Sequence, residues 1–177
     1  MPLIHVTTPE NAQGKVKEVY DQVTAAFGHV PNAMQIYSAS PDLLASNWQG
    51  IGYYSQHPTL SFVLLAMMRM LISEAGNCDY CVGFNQALLI NVANIPADQV
   101  AAARKNPADA PLGDKDKAML LFTLKATHDS NSISKTDIDQ LHAQGWTDRD
   151  IIDGLGHAAH MVAADVLLNA LKVENDF

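Results

Sequence analysis

The sequence predicts an all-α protein, and two observations carry that expectation. No four-residue run alternates β-branched with polar side chains in the manner of a half-buried strand. Apolar residues recur instead at helical spacing, between capping, proline and glycine signals, along the whole chain of 177 residues. Hydrophobic residues make up 48% of it, enough for a continuous core without a covalent staple. The length suits a single domain over 1–177.

Each element has its own signal. Thr8-Pro9-Glu10 reads as a capped start to a helix that runs to Phe27 and stops at Gly28, with Val16, Val19, Tyr20, Val23 and Phe27 on one face. Pro31 opens a short helical segment to Tyr37, and Ser40-Pro41-Asp42 caps another toward Tyr54. Thr59 begins a helix to Ser73 that is apolar nearly all round and so is expected to be central and buried. Asn77 reads as the cap of a helix from Cys78 to Val92, and Pro96-Ala97-Asp98 starts one ending near Lys105. After a proline- and glycine-punctuated loop, Asp114–His128 is amphipathic through Ala118, Leu121, Phe122 and Leu124. Ser134 and Asp137 open the next helix, closed by Gly145, and Thr147-Asp148 caps a last one reaching Leu171.

The formal net charge is -8 and the pI about 5.1, with no cluster of Lys and Arg. Nucleic acid and anionic membranes are therefore not the expected partners. The N-terminal stretch Met1-Pro2-Leu3-Ile4-His5 lacks the basic head and apolar run of a signal peptide. The most apolar run, Phe62 to Ile72, is interrupted by Arg69 and falls short of the roughly 20 residues that span a bilayer. A soluble, cytoplasmic protein is expected, and two cysteines do not make a secreted disulfide scaffold.

The chemistry concentrates at Cys78-Asp79-Tyr80-Cys81. Cysteines three apart at a helix start lie one turn from each other, and the helix dipole favours a thiolate there. A thiolate can attack an oxidant, and its neighbour can resolve the adduct into a disulfide. Two other readings compete with this one. The pair can be buried and inert, or it can be half of a zinc site, for which no second pair is present.

Phe27-Gly28-His29-Val30-Pro31-Asn32, Ser40-Pro41-Asp42-Leu43-Leu44, the long apolar helix into Asn77-Cys78 and Cys81, and the closing Asp150-Ile151-Ile152-Asp153 helix ending in Asn169-Ala170-Leu171 together carry a resemblance. The chain resembles the peroxidase-related branch of the alkyl hydroperoxidase D and carboxymuconolactone decarboxylase superfamily over nearly its whole length. The resemblance implies an AhpD-like helical bundle, a homo-oligomer (a trimer or a multiple of one) and thiol-dependent reduction of hydroperoxides. It also implies that Cys81 attacks the peroxide and Cys78 resolves it, whereas the dipole argument alone favours whichever sulfur lies nearer the helix end. The family's proton-handling Glu and two His fall at Ala66, Tyr80 and Asn85 of this sequence. Asn85 can hydrogen-bond but cannot take up a proton near neutral pH.

Other residues are candidates to fill that gap. Glu74 lies four residues before Cys78 and Asp79 sits between the cysteines, and as acids they raise a thiol pKa unless they relay protons. Tyr80 either donates a hydrogen bond to a peroxide oxygen or packs as an aromatic. Asp153, His157 and His160 share one face of the last helix at i, i+4, i+7, opposite Leu155, Ala159 and Val162, which are assigned to the main core. His157 or His160 is a candidate replacement base, a metal set is the minor alternative, and an interface histidine pair is the bland reading. The methionines Met67, Met68 and Met70 read as core filler, Trp48, Tyr53 and Tyr54 as core or channel lining, and the glycines form no phosphate loop.

The expected function is a thiol oxidoreductase and peroxidase with an antioxidant role and no bound cofactor. Its catalytic set is drawn from Cys78, Cys81, Asn85, Tyr80, Glu74, His157 and His160. The expected partners are a small hydroperoxide or disulfide substrate and a protein or small-thiol reductant. The alternatives are a carboxymuconolactone decarboxylase-like lyase and a non-catalytic redox-sensing oligomer.

Overall fold

A computed structural model describes residues 2–177; Met1, the first residue of the N-terminal stretch read above, lies outside the described residues. Among the described residues there is no strand, and the helical expectation holds throughout. Residue contacts divide the chain into two compact units, one of residues up to Gln56 with Leu167–Phe177 and the other His57–Val166.

In the first unit, α1 (Gly14–Phe27) buries Val16, Val19, Tyr20 and Val23, and Gly28 closes it in the left-handed conformation at φ 80. Its start differs from the sequence reading. Thr8-Pro9-Glu10 opens only a 3-10 turn, Pro9–Asn11, because Thr8 caps no backbone group. Its hydroxyl accepts from the Asn11 side chain at 2.9 Å, and Ala12 returns the chain to an extended conformation before α1 begins. A short α2 (Asn32–Gln35) with a 3-10 turn over Ile36–Ala39 precedes α3 (Pro41–Ser55). Trp48 and Phe27 pack in a T-shaped pair with centroids 6.0 Å apart, and Trp48 donates from Nε1 to Gln22 at 2.8 Å.

The second unit is built on α4 (Phe62–Ala75), which buries Leu64 to Met68, Met70 and Leu71 to Ser73, as an all-round apolar helix should. The helix starts at Phe62 rather than Thr59, because the Ser61 hydroxyl caps Leu64 N–H at 3.2 Å while the Thr59 hydroxyl donates to Asp150. The turn into α5 (Asp79–Ala87) also departs from expectation. Asn77 is not the cap: it holds a left-handed conformation at φ 51, which Asn tolerates, and reverses the chain tightly. Cys78 therefore takes the N-cap position itself, with no side-chain cap bond. A wider π-type turn over Leu88–Val92 ends the segment.

Then follow α6 (Ala97–Lys105), α7 (Asp114–His128), α8 (Lys135–Ala143) and α9 (Asp148–Leu171). The capping box of Ser134 and Asp137 forms as the sequence indicates. The buried face of α7 is Met119, Leu120, Phe122, Thr123 and Ala126; Leu121, expected inside, is exposed. By length and composition Asp148–Ala170 is apolar enough to cross a membrane. It carries buried Asp150, His157 and Asp165, bonded respectively to Thr59, Arg69 and Ser73 of the second unit, as a core helix would be.

Candidate functional site: a buried dithiol facing a carboxyl group

Cys78 and Cys81 are reduced and buried, with their sulfurs 2.9 Å apart. That separation is well beyond an S–S bond and brings the two thiols into close hydrogen-bonding contact. Cys78 stands at the mouth of α5, where free N–H groups and the helix dipole favour a negative charge. The S–H of Cys81 hydrogen-bonds to Cys78 and lowers the Cys78 thiol pKa, against the opposing effect of burial. Cys81 moves up, chiefly because its proton is held by Cys78 and then because it is buried. The first thiolate of the pair is therefore Cys78.

A third group completes the cluster. An Asp165 carboxylate oxygen on α9 and the two Sγ atoms all lie within 4.8 Å of one another, and all three residues are buried. Ser73, on α4, donates its hydroxyl to Asp165 Oδ1 at 2.7 Å. Asp165 Oδ2 is sealed from solvent and, among the described residues, receives no hydrogen bond from an N–H or O–H donor. Burial raises the Asp165 carboxyl above its ordinary value, and the hydrogen bond from Ser73 only partly offsets it. Gly76 makes room for this group: a Cβ there would meet Oδ2 at 2.8 Å.

Sequence reasoning missed Asp165, although a signal was present. The buried stripe of α9 runs through Ala158, Met161 and Leu168, and Asp165 is a carboxylate set on that apolar stripe. The opposite assignment, with Leu155, Ala159 and Val162 facing the main core, is corrected by the structure. Ala159 and Val162 are exposed, and Leu155 is half-buried.

The remaining candidates lie as follows. Asn85 is buried, and its Nδ2 donates to the Cys81 carbonyl at 2.8 Å rather than to a sulfur. Its Oδ1 accepts from Arg69 Nε at 2.6 Å. Tyr80 is buried and stacks on Phe84, ring centroids 6.2 Å apart. Glu74 points to the surface, where Arg104 holds it at 2.8 and 3.0 Å, and Asp79 is exposed. His157 is buried, and its Nε2 accepts from Arg69 Nη1 at 3.3 Å, since a guanidinium can only donate. Burial, and next the Arg69 charge, lower its pKa to about 3, so it takes up no proton at neutral pH. His160 is exposed. The titratable group that the structure places beside the thiols is Asp165; no nitrogen of His157 or His160 belongs to that cluster.

Asp153 pairs with His57 at 3.1 Å and does not join His157 and His160 in a metal set. The donor atoms that do cluster among the described residues are those of Cys78, Cys81 and Asp165. Two thiolates on one tetrahedral zinc, each about 2.3 Å from it, would stand about 3.7 Å apart. The observed 2.9 Å is too short for two thiolates on one such ion.

No protein-family model and no curated protein matches the sequence. Solved structures do match. An uncharacterized peroxidase-related protein from Silicibacter sp. superposes with a TM-score of 0.83 at 20% identity, over 99% of this chain and 95% of its own. An uncharacterized peroxidase-related protein from Ralstonia eutropha, described as an alkylhydroperoxidase AhpD core, gives 0.79 at 22% identity over 98% and 94%. A variant of the debrominase Bmp8, in complex with 2,3,4-tribromopyrrole, gives 0.78 at 16% identity over 99% and 94%. The fold is accordingly that of the AhpD-like helical proteins.

Proposed function

We propose that this protein is a thiol-dependent peroxidase of the alkyl hydroperoxidase D type, in which Asp165 handles the protons. The observation that carries this reading is the sealed cluster of Cys78, Cys81 and the Asp165 carboxyl, all within 4.8 Å. Cys78 as thiolate attacks the O–O bond of a hydroperoxide, giving a sulfenic acid and an alkoxide. Asp165, holding the proton that left the Cys78 thiol, gives it to the alkoxide, which leaves as the alcohol. The Asp165 carboxylate then takes the Cys81 thiol proton, and the Cys81 thiolate attacks the sulfenic sulfur. Hydroxide leaves, takes the same proton and departs as water. Two thiols and one hydroperoxide thus become a disulfide, an alcohol and water, and a protein or small-molecule thiol restores the dithiol. This order makes Cys78 the attacking residue, the reverse of the role that family resemblance suggests.

Mass spectrometry tests this stoichiometry. One equivalent of cumene hydroperoxide is expected to remove two hydrogens from the reduced protein and to join Cys78 to Cys81. With Cys81→Ser, a trapped sulfenic acid at Cys78 is expected; trapping at neither cysteine, or exclusively on Cys81 in Cys78→Ser, contradicts the scheme. A second reading, reductive dehalogenation, is favoured by the likeness to a debrominase. There the thiolate takes the halogen from a haloaromatic ring, the ring gains a proton, and Cys81 expels halide as the disulfide forms. We further propose a soluble, cytoplasmic homo-oligomer with no membrane or nucleic-acid partner. The exposed apolar side chains Ile152, Val162 and Val166 on α9 support burial against a second copy.

A further inference from the structure

Arg69 is a half-buried cation whose protein partners are both neutral: Asn85 Oδ1 on Nε and His157 Nε2 on Nη1. The chain has 19 acidic residues, yet none among the described residues forms an ion pair with this guanidinium. Asp153, the carboxylate on the neighbouring stretch of α9, is taken by His57 at 3.1 Å and Arg149 at 3.6 Å. An enclosed charge with only neutral partners is costly unless something else compensates it. Burial lowers the Arg69 pKa to about 10, which leaves it charged at neutral pH. The two neutral acceptors fix Nε and Nη1. Among the described residues none bonds the Nη2 amino group, which is not sealed from solvent, so one edge of the fork is left for an anion.

The position of this edge relative to the dithiol gives it meaning. Arg69 and Ser73 are one turn apart on α4, about 6 Å along the helix, and Ser73 holds Asp165. Asn85 links the same guanidinium to the backbone carbonyl of Cys81. We propose that Arg69 anchors the carboxylate of a small organic acid substrate, about one helical turn from the atoms that react at the dithiol. On the peroxidase reading, on which this substrate class rests, the substrate is a hydroperoxide that also bears a carboxylate.

Benzoate is the probe, with benzyl alcohol as its neutral counterpart. Titration of the reduced full-length protein is followed by the Arg69 Nε–H and Asn85 side-chain amide signals in nitrogen-proton NMR. Benzoate is expected to shift both signals saturably and to slow dithiol oxidation by cumene hydroperoxide, whereas benzyl alcohol does neither. Arg69→Met is expected to weaken benzoate at least about tenfold. Arg104→Met removes a surface cation and is expected to change it by less than about twofold. The proposal is overturned if benzoate and benzyl alcohol behave alike, if no saturable shift occurs, or if Arg69→Met binds as the parent does. Should Arg69→Met fail to fold, the titration of the unaltered protein decides the matter. Binding needs no redox chemistry, so the two readings fail separately. An inert dithiol with Arg69-dependent benzoate binding removes only the peroxidase, and fast oxidation without benzoate binding removes only this anchor.

Discussion

His157 has to remain neutral for the buried polar group around Arg69 to hold. Its pKa falls from 6.5 to about 3, first because burial penalises the imidazolium and then because the guanidinium repels it. The sign follows from the depressed folded-state value. The stability that neutral His157 contributes is complete above its unfolded pKa near 6.5 and is lost as pH falls toward about 3. Between those limits the loss approaches about 1.4 kcal/mol per pH unit. Urea unfolding at several pH values checks this: His157→Gln, which keeps an acceptor for Arg69, is expected to flatten the acid side by about one proton. Parallel curves for the two proteins would contradict it. At this scale the sequence was only partly legible. Cysteines three apart declare themselves through spacing alone, whereas Asp165 and Arg69 reach the site from α9 and α4 by packing, which no local pattern encodes.

The helices were legible wherever a side chain caps or a glycine stops them, as with Gly28 after α1 and Ser134 before α8. They were misread where a capping residue was engaged elsewhere, as Thr59 is by Asp150 and Asn77 by its left-handed turn. The turn from α4 to α5 is the element that sets the site, because it brings Gly76 against Asp165 and Cys78 to the helix mouth. Gly76→Ala would place a methyl group 2.8 Å from Oδ2, so the carboxyl must shift from its place beside the sulfurs. Gly76 has φ in the ordinary range, so the variant is expected to keep its helical circular dichroism. Its hydroperoxide oxidation rate is expected to fall about tenfold, since proton transfer tolerates little displacement. An unchanged rate would separate Asp165 from the chemistry.

For the whole molecule, the absence of strand patterning sufficed to give the all-α class, and the chain-wide resemblance gave the AhpD-like fold. The division into two compact units was not legible. The segment that joins the first unit from the C-terminus, Leu167–Phe177, is distant in sequence, and its tie is a set of long-range bonds such as Asn32 N–H to Asp176. Light scattering after size exclusion is expected to return a multiple of 19.2 kDa, and Val166→Lys is expected to lower it. A monomer in both cases would contradict the proposed oligomer. Whether the protons of the dithiol pass through Asp165 is decided by stopped-flow oxidation of the fully reduced protein with cumene hydroperoxide. The expected result is a single fast phase, well above the rate of a free thiol, that Asp165→Asn slows by about 10²-fold without loss of fold. Oxidation no faster than that of a free thiol, or an equal rate in Asp165→Asn, would contradict it.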